Sequence, residues 1–200
     1  MKSKILIINF SLRVNSGSGK IANYIASVYG ANSSVMNYIA LNLPIWDEGV
    51  WNKDPKWETI LNPIKQQLSE ADGYVFVIPE YHGMASPAYN NFNLFLATGD
   101  EVAHKPVLIV TNSNARGGAY PITEVRAFGS KNNKLLFIPE HIIVRNNSEV
   151  LNTELNTNNS EDQYIRDRII FALEILDQYC ERLAGLAKTL PFDNRFKNGM

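Results

Sequence analysis

A short polar segment near the start of the chain has the residue types of a phosphate-binding loop. It contains three serines and an arginine: Ser11, Arg13, Ser16 and Ser18. Serine hydroxyls donate to phosphate oxygens, and an arginine guanidinium neutralises a phosphate with several parallel donors. A helix is predicted over 20–29, and the free N–H groups at a helix start also favour an anion. The alternative is an exposed Ser/Gly loop that only caps this helix.

Two common phosphate motifs do not fit this segment. A Walker A loop has glycine five residues before the glycine of its Gly-Lys pair, and Ser or Thr after the pair. This chain has Val14 and Ile21 at those positions. A dinucleotide motif, Gly-x-Gly-x-x-Gly, requires three glycines, whereas only Gly17 and Gly19 are present. A mononucleotide phosphate is the remaining fit.

Two further polar loops each follow an apolar segment. One spans residues 79–86 and begins Pro-Glu-Tyr-His-Gly, and the other spans 112–118 and ends in two glycines. His82 in the former is a candidate general acid, although a lone loop histidine is more often a hydrogen-bonding spacer. His104 and His141 have no partners at metal-ligand spacing, so no metal site is predicted.

Short apolar runs alternate with amphipathic segments along the chain. The runs predict five strands, at 4–10, 35–41, 73–78, 106–111 and 135–144. Helices are predicted at 20–29, 56–70, 87–98, from Gly118 to about Phe128, and at 161–190. Pro63 is expected to kink or split its helix, and Pro139 to interrupt its strand. The asparagine-rich segment 146–160 is predicted to be a surface loop.

This alternation predicts an α/β fold, a doubly wound five-stranded parallel sheet with helices on both faces. We expect residues 1–190 to form a single domain and residues 191–200 to form a polar, frayed tail. Ligands of such sheets bind outside the carboxyl ends of the strands. The loops 11–19, 79–86 and 112–118 each follow a strand, so they should meet at one edge of the sheet.

Composition excludes several classes of protein. The chain is 45% hydrophobic and 20% charged, which is typical of a globular protein with a substantial core. Its net charge of −1 disfavours nonspecific nucleic-acid binding. The single cysteine, Cys180, excludes an intramolecular disulfide and is predicted to be inert packing. No apolar run approaches the roughly 20 residues of a membrane span, and none resembles a signal peptide. We therefore expect a cytoplasmic protein without a membrane partner.

Two motifs, in this order, resemble the NAD(P)H-dependent FMN reductase family, whose flavodoxin-like members include quinone, azo-dye and chromate reductases. They are Ser-Leu-Arg-x-x-Ser after the first strand and Pro-Glu-Tyr-x-Gly after the third. The segments Leu-Pro-Ile-Trp-Asp-Glu at 43–48 and Lys-Pro-Val at 105–107 are also similar to the family. The resemblance covers roughly residues 4–130 and implies a flavodoxin-like arrangement of the predicted sheet.

The resemblance implies that the three loops hold FMN. The first loop would bind the phosphate, and the second would lie along the isoalloxazine ring. The implied cofactor-binding residues are Ser11, Arg13, Ser16, Ser18, Pro79, Glu80, Tyr81, His82, Gly83, Asn112, Asn114, Gly117 and Gly118. Asn112 and Asn114 replace a serine and a glycine of the family pattern, and Arg116 adds a charge. No side chain is assigned a catalytic role, because the flavin carries the chemistry.

The implied activity is hydride transfer from NADPH or NADH to bound FMN, and onward to a quinone, an azo compound, a metal oxyanion or free flavin. A homodimer or homotetramer is also implied, with Trp46, Trp51 and Trp57 as candidates for a dimer contact, a wall over the flavin, or cover for the sheet edge. Two alternatives stay open: an FMN-binding electron carrier, and a non-enzymatic module that has lost flavin. The net charge of −1 argues against a carrier, since flavodoxins are strongly acidic. The intact residues of the first loop argue against the module.

Overall fold

A computed structural model describes residues 2–96, 100–191, 193 and 195 of the chain. The strands are β1 (Ile5–Asn9), β2 (Ser33–Asn37), β3 (Gly73–Tyr81), β4 (Met84–Ala85), β5 (Pro106–Asn112) and β6 (Leu136–Val144). The helices are α1 (Gly17–Tyr29), α2 (Tyr38–Leu41), α3 (Pro55–Glu70), α4 (Pro87–Leu96), α5 (Tyr120–Phe128), α6 (Ser160–Leu183) and α7 (Leu186–Thr189). A short 3-10 turn at 48–50 lies in the predicted loop before α3.

Five parallel strands form the main sheet, in the order β2-β1-β3-β5-β6. The central strands β1, β3 and β5 are apolar and almost wholly buried, since helices cover both faces of the sheet. This order is the flavodoxin-like one, and it confirms the predicted doubly wound α/β fold. The winding direction reverses between β1 and β3, which leaves a crevice at their carboxyl ends.

Each face of the sheet has its own hydrophobic core. On one face α1 packs beside α6, and Ile21 and Ile165 belong to the same buried cluster. On the other face, α3, α4 and α5 enclose an aromatic cluster. Phe10, directly after β1, lies edge-on to three rings of this cluster, Phe76, Tyr89 and Phe92. The aromatic cluster therefore fixes the point at which the first polar loop leaves the sheet.

The chain departs from the predicted elements at two places near the carboxyl edge. Where a strand is predicted over 35–41, β2 spans 33–37 and residues 38–41 form α2, because β2 pairs with β1 only from Ser33 to Asn37. Where a loop is predicted over 79–86, β3 continues to Tyr81 and pairs with the antiparallel β4. The sheet therefore has a sixth strand.

Neither internal proline breaks its element. Pro63 lies on the exposed side of α3, where the carbonyl that it leaves unpaired can bind water. Pro139 lies in edge strand β6, within a bulge where β6 has two extra residues relative to β5. α6 ends at Leu183 rather than at residue 190, since Gly185 is left-handed with φ of +78°.

Residues 146–159 contain no helix or strand, although Asn147, Val150 and Leu151 are buried. The predicted helix end at 97–98 and most of the predicted tail lie outside the described residues. Within the described part of the chain, no helix has both the length and the apolar character needed to cross a membrane.

Candidate functional site

The loop after β1, the carboxyl end of β3, and the end of β5 with the loop after it line one cleft of about 1390 Å³ at the carboxyl edge of the sheet. Residues of the 37–40 segment close one side of the cleft, and residues of the 147–153 segment close another. Most of the lining side chains are uncharged amides and hydroxyls. Among the described lining residues, the charged ones are Arg13, Lys20 and Glu80. The cleft therefore suits an anionic ligand that carries many hydrogen-bonding groups.

The start of α1 provides free N–H donors at this cleft. Ser16 is the N-cap residue, and its Oγ accepts from the N–H of Gly19 at 3.0 Å. The N–H groups of Gly17 and Ser18, in the first turn, have no acceptor within the helix. With the positive end of the helix dipole, these donors have the chemistry that an anion site requires at a helix start.

Ser11 shapes the loop that precedes α1. Its N–H donates to the side chain of Asn9 at 3.1 Å, and its Oγ accepts from the N–H of Arg13 at 3.1 Å. The Ser11 Oγ also lies 3.3 Å from the hydroxyl of Tyr81, so the first and second loops touch. Arg13 is exposed at the cleft and forms no ion pair among the residues that the structure describes. Its guanidinium is therefore free for a ligand.

A buried polar cluster ties the first loop to the third. The Ser18 Oγ and the Asn112 amide lie within hydrogen-bonding distance of each other, at 3.0–3.2 Å. The Asn112 Oδ1 also accepts from the Asn147 Nδ2 at 3.0 Å. All three side chains are buried, so Ser18 and Asn112 orient the two loops with their side chains. Asn114 is exposed and lines the cleft.

Gly17 accommodates this cluster because it lacks a side chain. A Cβ at Gly17 would lie 2.6 Å from the amide of Asn147. We expect Gly17→Ala to displace Asn147 and to weaken ligand binding at the start of α1, with a loss of stability of about 1–3 kcal/mol from overpacking. Isothermal titration and urea unfolding measure both effects. The matched comparison is Gly19→Ala in the same helix, whose Cβ would lie no closer than 3.2 Å to another side chain and should therefore cost less. Wild-type affinity and stability in Gly17→Ala would contradict this packing.

Glu80 joins the second loop to the third. Its Oε2 accepts from the N–H of Gly118 at 2.6 Å. A Cβ at Gly117 would lie 2.5 Å from the Glu80 Oε1, and Gly118 has φ of +102°, so each glycine is required for a distinct reason. Pro79, Glu80 and Tyr81 line the cleft, whereas Gly117 and Gly118 are not among its described lining residues. The glycines therefore support the third loop.

Loss of the Glu80 carboxylate should loosen the third loop. Glu80→Ala is expected to lower the free energy of unfolding by about 1.5 kcal/mol, the low end for a charge-assisted hydrogen bond, since Glu80 is only partly buried. Urea denaturation measures this change. Glu80→Gln, which keeps an acceptor oxygen, should retain part of the stability. Equal stability of Glu80→Ala and the wild type would show that the bond to Gly118 contributes nothing.

His82 and Gly83 form the two-residue turn between β3 and β4. Both have positive φ, +52° and +78°, as a type I′ hairpin requires. His82 is exposed, and neither residue is among the described lining of the cleft. Their position fits a spacer role.

Two segments of the cleft wall were not predicted. Residues 37–40 reach the site because β2 pairs with β1, and residues 147–153 because they follow the distant strand β6. Neither segment carries a recognisable motif. The high asparagine content of 146–160 predicts a surface loop, but it does not indicate that this loop lines a ligand site.

Lys20 holds the 147–153 segment against α1. Its Nζ donates to the carbonyl oxygens of Asn147 and Val150 and to the Asn152 Oδ1, at 2.5 to 2.8 Å. These three acceptors use all three donors of the ammonium group. Burial lowers the pKa of Lys20, and the nearby Asp162 carboxylate opposes that effect. Lys20 is thus engaged within the protein.

Asp162, in the first turn of α6, also holds the 147–153 segment in place. The buried carboxylate accepts from the N–H of Leu151 at 2.7 Å and from the N–H of Asn156 at 2.9 Å. It also accepts from the Arg166 Nε at 3.1 Å. Asp162 therefore fixes a wall of the cleft without contacting the cleft itself.

Trp46 and Trp51 lie between α2 and α3, and Trp57 lies near the start of α3. Trp46 and Trp51 pack edge to face with ring centroids 4.6 Å apart, and Trp51 is exposed. Trp57 is buried, and its Nε1 donates to Asp47 at 2.7 Å. The described lining of the cleft includes none of the three.

Comparison with known proteins gives a family match and a set of similar folds. A family model described as NADPH-dependent FMN reductase matches residues 3–149. FerB from Paracoccus denitrificans, a flavoenzyme NAD(P)H:(acceptor) oxidoreductase, has a similar structure, with a TM-score of 0.68 and 13% identity. The alignment covers 91% of this chain and 98% of FerB.

Two other solved structures are similar over comparable lengths. A flavodoxin, WrbA-like protein from Agrobacterium tumefaciens has a TM-score of 0.59 and 15% identity, over 90% of this chain and 98% of that one. An FMN-dependent NADH-azoreductase from Bacillus anthracis, solved with FMN, has a TM-score of 0.55 and 16% identity, over 91% and 99%. At these identities the likeness establishes the flavodoxin-like fold.

Proposed function

This chain belongs to the NADPH-dependent FMN reductase family, and we propose that the cleft at the carboxyl edge of its sheet is the flavin site of a reductase. The family uses FMN as cofactor and NAD(P)H as electron donor. The observation that carries the proposal is that the three predicted loops meet in one cleft. All the predicted binding residues line it except His82, Gly83, Gly117 and Gly118.

The residues present fit both the phosphate and the ring system of FMN. The first turn of α1, the Ser16 hydroxyl and the unpaired Arg13 suit a phosphate. Pro79 and Tyr81, at the carboxyl end of β3, and the 37–40 segment also line the cleft and suit a planar ring system. Gly17 leaves room for the Asn147 side chain that packs against the start of α1, since a Cβ there would lie 2.6 Å from it.

FMN held in this cleft would supply the redox chemistry: it would accept a hydride from the nicotinamide of NAD(P)H and pass electrons to a second substrate. The chain's own residues bind and orient it. Arg13 balances the phosphate charge, and the cluster of Ser18, Asn112 and Asn147 keeps the first and third loops in register. Glu80 holds the third loop close to the second through Gly118. No side chain of the protein has to transfer a proton for the hydride step.

We propose a small oxidised acceptor for the second half of the reaction: a quinone, an azo compound, a metal oxyanion or free flavin. The open cleft, lined mostly by neutral polar groups, supports a small molecule as the second substrate. NADPH oxidation measured against this panel of acceptors ranks the four classes. Equal, near-background rates with all of them would contradict the proposal.

We further propose that residues 1–190 form one domain of a cytoplasmic homodimer. Exposed apolar side chains between α2 and α3 support a dimer face, since Ile45 is 86% exposed and Trp51 is 68% exposed. Sedimentation equilibrium gives the mass, and Trp51→Lys should shift the protein towards the monomer. A monomeric wild-type protein at micromolar concentration would contradict the dimer.

The reductase proposal itself is tested by titrating flavin-free protein with FMN and then adding NADPH without oxygen. Retention of FMN and reduction of the bound flavin are both expected.

Replacement of His82 by asparagine should leave the reductase intact. His82→Asn is expected to retain FMN and to keep turnover within about tenfold, because His82 is an exposed turn residue and asparagine tolerates positive φ. Steady-state NADPH oxidation and flavin content measure these properties. His82→Gly, which removes the ring and also permits the turn, is the matched control. A loss of several hundredfold with FMN retained would assign His82 a catalytic role.

A further inference from the structure

The cleft continues beyond the phosphate loop, along one side of α1. Lys20, Asn23, Tyr24 and Ser27 are spaced three or four apart, so they share this side, and all four line the cleft. Between Gly17 and Ser27 the helix advances about 15 Å at 1.5 Å per residue. FMN has its phosphate at one end of the molecule, so FMN whose phosphate binds at the start of α1 does not extend along the helix. The α1 arm, defined as Asn23, Tyr24, Ser27, Leu151, Asn152 and Thr153, is therefore left unused by FMN.

The walls of the α1 arm are held by the protein itself. Lys20 fastens the Asn152 side chain to α1 at 2.8 Å. The Arg166 Nη2 donates to the Asn152 carbonyl at 2.6 Å, and the Arg166 guanidinium carbon lies 5.0 Å from the centroid of the Tyr24 ring. One guanidinium thus orients residues from both walls, and the arm is pre-formed.

The side chains of the α1 arm have the chemistry of a nucleoside site. The amides of Asn23 and Asn152 can both donate and accept hydrogen bonds, as the edge of a purine requires. Ser27 and Thr153 offer hydroxyls for a ribose, and the ring of Tyr24 offers an aromatic surface for a base. None of the residues that form the arm is acidic, so a phosphate next to it is not repelled.

We propose that the α1 arm is a subsite for an adenosine 5′-phosphate moiety that lies next to the phosphate end of the flavin site. This inference rests on the proposed FMN site. Two ligands carry the moiety: FAD, in which it is joined to the FMN phosphate, and NAD(P)H, in which it is joined to the nicotinamide nucleotide. Each has a truncated partner that lacks the moiety, namely FMN and reduced nicotinamide mononucleotide. The two pairs distinguish the two sources.

The first pair is tested by titrating flavin-free protein with FAD and with FMN and following flavin fluorescence. Tyr24→Ala is expected to weaken FAD binding about tenfold, the effect of losing one stacked base, and to change FMN binding less than twofold. Tyr24→Phe keeps the ring and should match the wild type. Because Tyr24 also packs against the core under α1, Asn23→Glu provides a second variant at an exposed position. Its carboxylate should weaken FAD selectively, whereas Asn23→Gln should not.

The second pair is tested on FMN-loaded protein with the same variants. If the donor occupies the α1 arm, the KM for NADPH and NADH rises about tenfold in Tyr24→Ala, and the KM for reduced nicotinamide mononucleotide does not change. A selective effect on either pair supports the subsite. Equal effects within both pairs, or no effect on either, would overturn it while leaving the flavin site in place. Failure of the wild-type protein to bind FMN would overturn the proposed function and this inference together.

Discussion

Replacing Arg13 by alanine is expected to weaken FMN binding by about 1.5–3 kcal/mol, roughly tenfold to 150-fold. Arg13 lines the cleft beside the start of α1 and has no ion-pair partner among the described residues. The ammonium group of Lys20, the other cation that lines the cleft, donates all three of its hydrogen bonds to residues of the 147–152 segment. No second free cation among the described lining residues would compensate for the loss of Arg13.

The affinity of flavin-free Arg13→Ala for FMN is measured by fluorescence titration at fixed ionic strength, since salt screens an exposed charge. Arg13→Lys keeps the charge without the fork of donors and should give an intermediate affinity. Lys131→Ala removes a positive charge from the segment before β6, at the opposite edge of the sheet, and serves as the matched control. Unchanged affinity in Arg13→Ala would remove Arg13 from the phosphate site.

Replacing Asp162 by alanine is expected to lower the free energy of unfolding by about 3–5 kcal/mol, the range for breaking a buried ion pair. The Asp162 side chain is 1% exposed, and it accepts from two backbone N–H groups and from Arg166. Without the carboxylate, these donors lose their acceptor inside the protein. Guanidinium unfolding measures the loss. Asp162→Asn keeps the size and one acceptor oxygen and should lose less. A cost below 1 kcal/mol for Asp162→Ala would contradict this role.

The same carboxylate predicts a dependence of stability on pH. Burial raises the pKa of Asp162, but the hydrogen bonds from Asn156 and Leu151 and the Arg166 charge outweigh burial and hold it below the ordinary value of 3.8. Asp162 therefore stabilises the fold above pH 3.8, and this contribution is lost as the pH falls through the lower pKa of the folded state. The stability difference between the wild type and Asp162→Asn should shrink below pH 4. A difference that stays constant from pH 7 to pH 3 would contradict this.

Much of the fold follows from local patterns in the chain. The apolar runs at β1, β3 and β5 identify buried strands, and the polar loops after them carry residues that meet at one edge. Local patterns do not indicate the hairpin of β3 and β4, because its turn is His82-Gly83 instead of the usual Asn-Gly pair. This two-residue turn allows β4 to pair with β3, although the residues of β4 show no alternation of apolar and polar residues that would predict a strand.

The rest of the cleft depends on contacts between distant parts of the chain. Lys20 and Asn147 are 127 residues apart, and Ser18 and Asn112 are 94 apart. The sequence of one loop does not indicate which distant residues the fold places in contact with it. For the same reason the sequence predicts that Ser18 and Asn112 contact a ligand, but it gives no sign of the hydrogen bonds between them, which position the two loops.

The central claim is that this cleft holds a flavin that a nicotinamide nucleotide reduces. Its most direct test is a visible absorption spectrum of protein supplemented with FMN, desalted, and mixed anaerobically with NADPH and, separately, with NADH. We expect the flavin bands to survive desalting and to bleach with at least one of the two nucleotides. Bands that survive but do not bleach would contradict a reductase and indicate an electron carrier. Loss of the flavin on desalting would contradict the cofactor site.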